Sequence, residues 1–302
     1  MAKMHADEAD VDPDLVHRLL AAQFPQWSGL PITRVVSAGT VNAMFRLGDD
    51  LAVRLPLISS GAADIDNDQR WLPKLAPHLP VAIPEAIAIG EPAEGYPWRW
   101  SVSRWLTGCN PQVDALTEPE DLAIDLAEFI TALRAIDPAG GPELSRSGPL
   151  ADRDEATRAA IDASDNLIDT DALRAIWAEL VAVPGEAPRA WAHGDLSPGN
   201  VLIDQGRLRA VIDFGAFGVG DPTVDLIVAW NLLPAAARPI LRAALDVDDA
   251  TWARGKGWAL SISVIQLPYY QHTNPALAAN SRHVLEQLIA DHQRVGRTNP
   301  AR

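Results

Sequence analysis

The sequence predicts an α+β chain of two lobes: a small strand-rich N-terminal lobe over residues 1–103 and a larger, mainly helical C-terminal lobe over 104–302. Three observations lead there. The first hundred residues hold short alternating runs broken by glycine, the pattern of strands and turns. The remainder carries apolar residues at helical spacing. At 302 residues the chain is also long for one compact core.

Asp12-Pro13 reads as an N-cap followed by proline in the first turn, opening a short helix with Leu15, Leu19 and Leu20 on one face. Ile32 to Val36, Met44 to Leu47 and Leu51 to Leu55 read as three strands, with Gly39 and Gly48-Asp49-Asp50 as breaks. A helix is expected over Asp66 to Leu75, then strands near Ile87 and at Trp100 to Ser103. Leu122, Leu126, Phe129, Ile130 and Leu133 form a helical stripe that Asp137-Pro138 stops. Further helices are expected over 152–164, 171–182, 222–232, 234–245, 251–267 and 275–295. One strand-loop-strand insert, Ala190 to Phe214, lies among them.

Composition narrows the function classes. A formal net charge of −15 argues against nucleic acid, which is bound by clustered Lys and Arg. It fits either a plain acidic surface or a cationic substrate. Cys109 is the single cysteine, so neither an internal disulfide nor a thiolate metal cage is expected. Met1 to Asp10 lacks the basic-then-apolar order of a signal peptide, and no apolar run reaches the roughly 20 residues of a membrane span. The expected location is cytoplasmic, with no membrane partner.

The chemistry is concentrated in Trp191-Ala192-His193-Gly194-Asp195-Leu196-Ser197-Pro198-Gly199-Asn200, followed downstream by Asp213-Phe214-Gly215. Asp195 and Asn200 are separated by a proline- and glycine-containing loop, and Asp213 closes the next strand. This spacing brings a carboxylate, an amide oxygen and a second carboxylate to one end of a short ribbon. Phosphoryl transfer uses such a set: one carboxylate orients the attacking hydroxyl while oxygen ligands hold magnesium against the phosphates. A catalytic Asp, four residues, Asn, and a later Asp-Phe-Gly is the kinase arrangement. As plain structure, the segment would be polar turns around a buried hairpin.

With Gly220-Asp221-Pro222-Thr223-Val224-Asp225-Leu226 added, these motifs resemble the aminoglycoside phosphotransferase family, from about Val35 to the last helix. The resemblance implies a protein-kinase-like fold and ATP- and magnesium-dependent phosphorylation of a hydroxyl on a small molecule. It makes Asp195 the catalytic base and Asn200 and Asp213 the magnesium ligands. Asp225 would fix the catalytic loop through backbone hydrogen bonds, and His193 would brace it.

The nucleotide side would come from the first lobe. Ser37-Ala38-Gly39-Thr40 can bring backbone N–H groups toward phosphates. Arg54 stands where kinases carry a phosphate-binding Lys, and Asp68 where they carry its Glu partner; a longer cation facing a shorter anion keeps the reach. Trp100 to Gly108 resembles the interlobe hinge, so the Arg104 carbonyl and the Leu106 N–H would meet adenine.

Only Ala216 to Gly220 separate Asp213-Phe214-Gly215 from Asp221-Pro222, too short for a peptide-docking segment, so no protein substrate is expected. Two other classes compete: a non-catalytic nucleotide-binding module of the same fold, and a metal-dependent phosphoesterase. The first has no need of all three of Asp195, Asn200 and Asp213. The second lacks an upstream Asp-x-His pair and a His beside Asn200. The acceptor itself is open between an aminoglycoside or related antibiotic and an uncharged macrolide or metabolite. Trp230, Asn231, Trp258, Tyr269, Tyr270 and Gln271 are expected on its wall.

Overall fold

The computed structural model describes residues 8–35, 41–185 and 187–298. Internal contacts divide the chain into two compact units: Met1–Gly108 with Arg209–Gly215, and Cys109–Leu208 with Ala216–Arg302.

The first unit opens with α1 (Pro13–Gln23), started as its sequence requires, with Asp12 Oδ1 accepting from the Leu15 N–H at 2.7 Å. A five-stranded antiparallel sheet follows. Its order is β1 (Ile32–Arg34), β2 (Asn42–Leu47), β3 (Leu51–Pro56), β5 (Trp100–Arg104) and, at the edge, β4 (Ala86–Gly90). Leu15, Val16, Leu19 and Leu20 of α1 join Phe45, Leu47, Val53, Leu55, Trp100 and Val102 of the sheet in one buried cluster. Each such side chain contributes about 1.5–3 kcal/mol relative to exposure. The β2–β3 register sets Met44 opposite Arg54, fixing where that arginine leaves the sheet.

Between β3 and β4 runs α2 (Ser59–Leu75), which begins seven residues before the expected Asp66. The early turns are built from Ser59, Ser60, Gly61, Ala62 and Ala63, which carry no apolar stripe, and Ile58 gives no side-chain cap. No start signal was there to read. The extension matters because it adds Asp64 one turn before Asp68 on the same helix face.

The second unit is helical: α3 (Pro119–Arg134), α4 (Asp154–Ala163), α5 (Thr170–Val181), α6 (Val228–Asn231), α7 (Arg238–Ala244), α8 (Asp249–Tyr270) and α9 (Pro275–Thr298). Helix α8 is buried on every side through its middle, from Gly257 to Val264, and α4, α5 and α9 pack around it. An all-round buried helix is the centre of such a bundle. Asp248 caps it by accepting from the Thr251 N–H at 2.7 Å.

Two expectations are corrected here. The single insert over Ala190 to Phe214 is two ribbons. β6 (Ala190–Ala192) pairs with β9 (Gly218–Gly220), while β7 (Val201–Asp204) pairs with β8 (Arg207–Val211). The partner of β6 lies beyond the Asp-Phe-Gly motif, a pairing that local spacing cannot show. The segment expected as a helix over 222–232 is a tight 3₁₀ run, Pro222–Ile227, before the short α6. It is buried throughout, and its winding turns the Asp225 carboxylate back onto the loop at His193. Cys109 is exposed, its backbone pairing with that of Ile203. Among the described residues no helix is long and apolar enough to cross a membrane.

Candidate active site

The loop from His193 to Asn200 leaves β6 and is held by side chains from four directions. Asp225 Oδ2 accepts from the His193 N–H at 2.9 Å and Oδ1 from the Gly194 N–H at 2.8 Å, both in a fully buried setting. Burial raises the Asp225 carboxyl above its ordinary range, while His193 and these two N–H groups pull it down. The Asp195 N–H donates to His193 Nδ1 at 3.2 Å. Asn231 donates to the Leu196 carbonyl at 2.7 Å. Asn110 Nδ2 reaches the carbonyls of Pro198, Gly199 and Val201 at 3.2, 2.9 and 2.9 Å. Gly194 has φ +79, and a Cβ there would stand 2.5 Å from the Ala216 carbonyl oxygen. The residue before Asp195 must be glycine for the loop to close.

Both oxygens of Asp195 are engaged. Asn200 Nδ2 donates to Oδ2 at 3.0 Å and to the Asp195 carbonyl at 2.8 Å. Arg146 pairs with Oδ1 and also donates to the Gly194 carbonyl at 3.0 Å. The sequence reading did not include Arg146, Asn110 or a fastening role for Asn231. Arg146 and Asn110 sit in loops with no motif of their own.

In the first unit, β3 presents Arg54. Its Nη1 pairs with Asp68 Oδ2, and its Nη2 lies 3.7 Å from Asp64 Oδ2. Asp64 is the residue the sequence reading missed. Arg54 Nε and Nη2 and Asp68 Oδ1 are buried without hydrogen-bond partners; a phosphate oxygen can accept from the two nitrogens, and a water can donate to Asp68 Oδ1. Asp213 has φ +61 and an exposed side chain. A Cβ on Gly215 would lie 3.1 Å from Asp64 Oδ2 and 3.5 Å from Asp213 Oδ1, so both carboxylates stand against that glycine. Burial pushes Asp64 and Asp68 up to about 6 although Arg54 opposes it, and the Asp213 charge adds to the rise. The ion pair and the raised values look contradictory, but desolvation outweighs one arginine shared between two acids.

Magnesium takes oxygen ligands and few protein groups, and Asn200 and Asp213 each carry a ligand of that kind. Asp213 has no hydrogen-bonding protein partner among the described residues. Asn200 spends its NH₂ on Asp195 and keeps its amide oxygen free. No cluster of three or more acids, His or Cys suited to a metal occurs among the described residues.

Arg104 ends β5 with its side chain exposed, and the Trp105 N–H is taken by the Asp50 carbonyl at 2.7 Å. The Leu106 N–H has no acceptor among the described residues. Gly39 lies outside the described residues. The expected acceptor wall is corrected: Trp230, Asn231 and Trp258 are buried, Trp230 bonding Asp291 at 3.0 Å, whereas Tyr269 is 64% exposed. Core helices use tryptophan for volume, which a helical stripe cannot distinguish from a binding wall. A separate groove of about 360 Å³ between Glu179, Arg242, Trp252 and Lys256 holds none of the motif residues.

Known proteins resemble this chain in family pattern and in fold. The pattern that defines the phosphotransferase enzyme family matches residues 32–258. Over 59 residues the chain is 36% identical to an aminoglycoside 3'-phosphotransferase of Escherichia coli and equally to one of Salmonella typhimurium; that stretch is 19% of this chain and 22% of each relative. The match thus spans about a fifth of the curated relatives' length. The structure of the GDP and kanamycin complex of APH(2")-IIIa superposes with TM-score 0.72 at 22% identity, over 91% of this chain and 98% of that one. The macrolide 2'-phosphotransferase MphH from Brachybacterium faecium does so with TM-score 0.61 at 23% identity, over 91% and 98%. At these identities the structural likeness is one of fold, the protein-kinase-like α+β fold anticipated from the sequence. With the family pattern covering most of its length, the chain belongs to the phosphotransferase enzyme family.

Proposed function

We propose that the protein transfers the γ-phosphate of ATP to a hydroxyl of a small molecule, with magnesium as cofactor. The observation that carries this reading is the Asp195 loop: Asp225 accepts from the His193 and Gly194 N–H groups, the Asp195 N–H donates to His193, and Asn200 and Arg146 hold the two carboxylate oxygens. Asp195 orients the acceptor hydroxyl and takes its proton as the oxygen bonds to phosphorus; the bond to the bridging oxygen breaks and ADP leaves with its electron pair. Arg54, held by Asp68, meets the phosphates. The Arg104 carbonyl and the Leu106 N–H meet the adenine edge. Asn200 and Asp213 would hold magnesium, which supplies neutralisation of phosphate charge. The cell interior is the compartment that supplies ATP, and we place the protein in the cytoplasm.

Relatives named for aminoglycosides and macrolides support an acceptor of antibiotic size, and phosphorylating such a compound would confer resistance. ADP release should require magnesium and an acceptor alcohol together, in a panel spanning kanamycin-type amino sugars, macrolides and uncharged alcohols. ADP release that is independent of any acceptor would remove the kinase reading in favour of a hydrolase, and none with any acceptor would leave a nucleotide-binding module.

A further inference from the structure

Asn200 is fastened at its side chain and at its backbone by different partners. Its Nδ2 donates to the Asp195 carbonyl and to Asp195 Oδ2 at 2.8 and 3.0 Å, which leaves the amide oxygen as the side chain's remaining polar atom. Its backbone ends the 3₁₀ turn Pro198–Asn200, where the Asn200 N–H donates to the Ser197 carbonyl at 2.9 Å. The residue before it is Gly199, and a Cβ added there would meet nothing nearer than Ser197 Oγ at 3.9 Å. Packing therefore does not hold this stretch of chain, and glycine is the residue that resists backbone rotation least.

Asn110 supplies the restraint that packing does not. Its Nδ2 donates to the carbonyls of Pro198, Gly199 and Val201 at 3.2, 2.9 and 2.9 Å. An amide NH₂ has two hydrogens, so one of them is shared between two carbonyls. The Gly199 carbonyl belongs to the same planar peptide unit as the Asn200 N–H. That unit is gripped at its oxygen by Asn110 and at its nitrogen by the Ser197 carbonyl. The bond to the Val201 carbonyl fixes the chain on the other side of Asn200.

Asn110 is itself held in place by the chain around it. The Cys109 N–H donates to the Ile203 carbonyl at 3.0 Å and the Ile203 N–H to the Cys109 carbonyl at 2.8 Å, so the backbone before Asn110 is registered against β7. Pro111 follows, and a residue before proline is confined to extended conformations. The pairing with β7 uses backbone groups alone. Asn110 is exposed, and water could serve the three carbonyls in its place. What its side chain adds is a fixed orientation for the turn that carries Asn200.

We propose that Asn110 is a positioning residue for Asn200, and that through Asn200 it sets how tightly the nucleotide complex holds its divalent cation. The proposal rests on the phosphotransferase reading, in which Asn200 is a magnesium ligand. Groups behind a metal ligand fix its direction, and losing one commonly lowers metal affinity by about 10–100-fold. A ligand free to swing has to be ordered when the metal binds, and that ordering costs entropy.

The test measures binding without turnover, on the full chain, with manganese as the probe because it takes octahedral oxygen ligands as magnesium does. Free manganese is followed by its electron paramagnetic resonance signal at saturating ADP, and ADP affinity is measured by calorimetry in EDTA. Asn110→Ala should weaken manganese by about tenfold or more. It should leave ADP affinity in EDTA and the ligand-free melting temperature at wild-type values. Asn110→Ser keeps one donor on a shorter arm and should fall between; it carries the test if Asn110→Ala does not fold. Asn200→Ala sets the scale, since it removes the ligand itself. If Asn200→Ala loses manganese while the Asn110 variants bind it as tightly as wild type, the proposal is overturned and the phosphotransferase reading stands. An equal loss of ADP affinity in EDTA, or a melting temperature lower by several degrees, assigns Asn110 to the fold alone and also overturns it. Manganese held equally by wild type and Asn200→Ala removes Asn200 as a ligand, and the proposal falls with that part of the phosphotransferase reading.

Discussion

Arg54 carries two carboxylates on one guanidinium, and a third, Asp213, acts electrostatically on both. The consequence is a pH dependence with a definite sign. Asp64 and Asp68 rise from 3.8 to about 6, so the folded state holds these protons more tightly than the unfolded chain. Their contribution to stability is therefore full below the unfolded value near 3.8 and is lost as pH rises through about 6. Asp68→Asn abolishes one of these titrations. The urea midpoint of wild type without nucleotide should fall relative to Asp68→Asn across that window, and parallel curves would show that Asp68 does not titrate there. The same variant loosens Arg54 and should raise the KM for ATP. At the base, Asp195→Asn should keep MgATP binding and lower turnover by about 10²–10⁴-fold, the usual worth of a general base. Equal turnover would take Asp195 out of the role proposed for it.

The loop from His193 to Asn200 was largely legible in the sequence. His193, Gly194, Asp195 and Asn200 stand close together in the chain, and the role expected for Asp225, fixing this loop through backbone N–H groups, is what its carboxylate does. Asn110 and Arg146 bind the same loop from 88 and 49 residues away in sequence, and no local pattern announces either. Asp64 was hidden differently, behind helical turns of small residues that give no periodic signal. The tryptophans of α6 and α8 carried a signal that was real but pointed to the core. Loop geometry predicts the effect of breaking it. Asp225→Ala strands two buried N–H groups, each costing about 1–3 kcal/mol. The melting temperature should drop by several degrees and turnover should be lost, with Asp225→Asn less severe. A variant as stable as wild type would mean that the loop finds other partners. Gly194→Ala should behave alike, since its Cβ would collide with the Ala216 carbonyl in a backbone conformation that alanine adopts only under strain.

Across the whole chain, the segment Arg209–Gly215 belongs to the first unit although the chain on either side of it belongs to the second. Asp213 is thereby delivered to the sheet unit that holds Arg54, and Val211 N–H and Ala82 N–H bind it there through the Ala82 and Arg209 carbonyls at 3.1 and 3.4 Å. Linkage turns this into a measurement on the intact protein. A ligand that binds only the folded state stabilises it by about 2.7 kcal/mol at a hundred times its Kd. Millimolar MgATP should therefore raise the melting temperature, and EDTA should remove most of the rise, because without the metal the nucleotide's phosphates face Asp213, Asp64 and Asp68 unscreened. Asp213→Ala separates the two contributions. It removes the proposed metal ligand and also one negative charge from that cluster, so metal-free ATP should bind it better than it binds wild type, while the gain from added magnesium should shrink. If Asp213→Ala gains as much from magnesium as wild type, the ion is held elsewhere and Asp213 serves only to set the charge around Arg54.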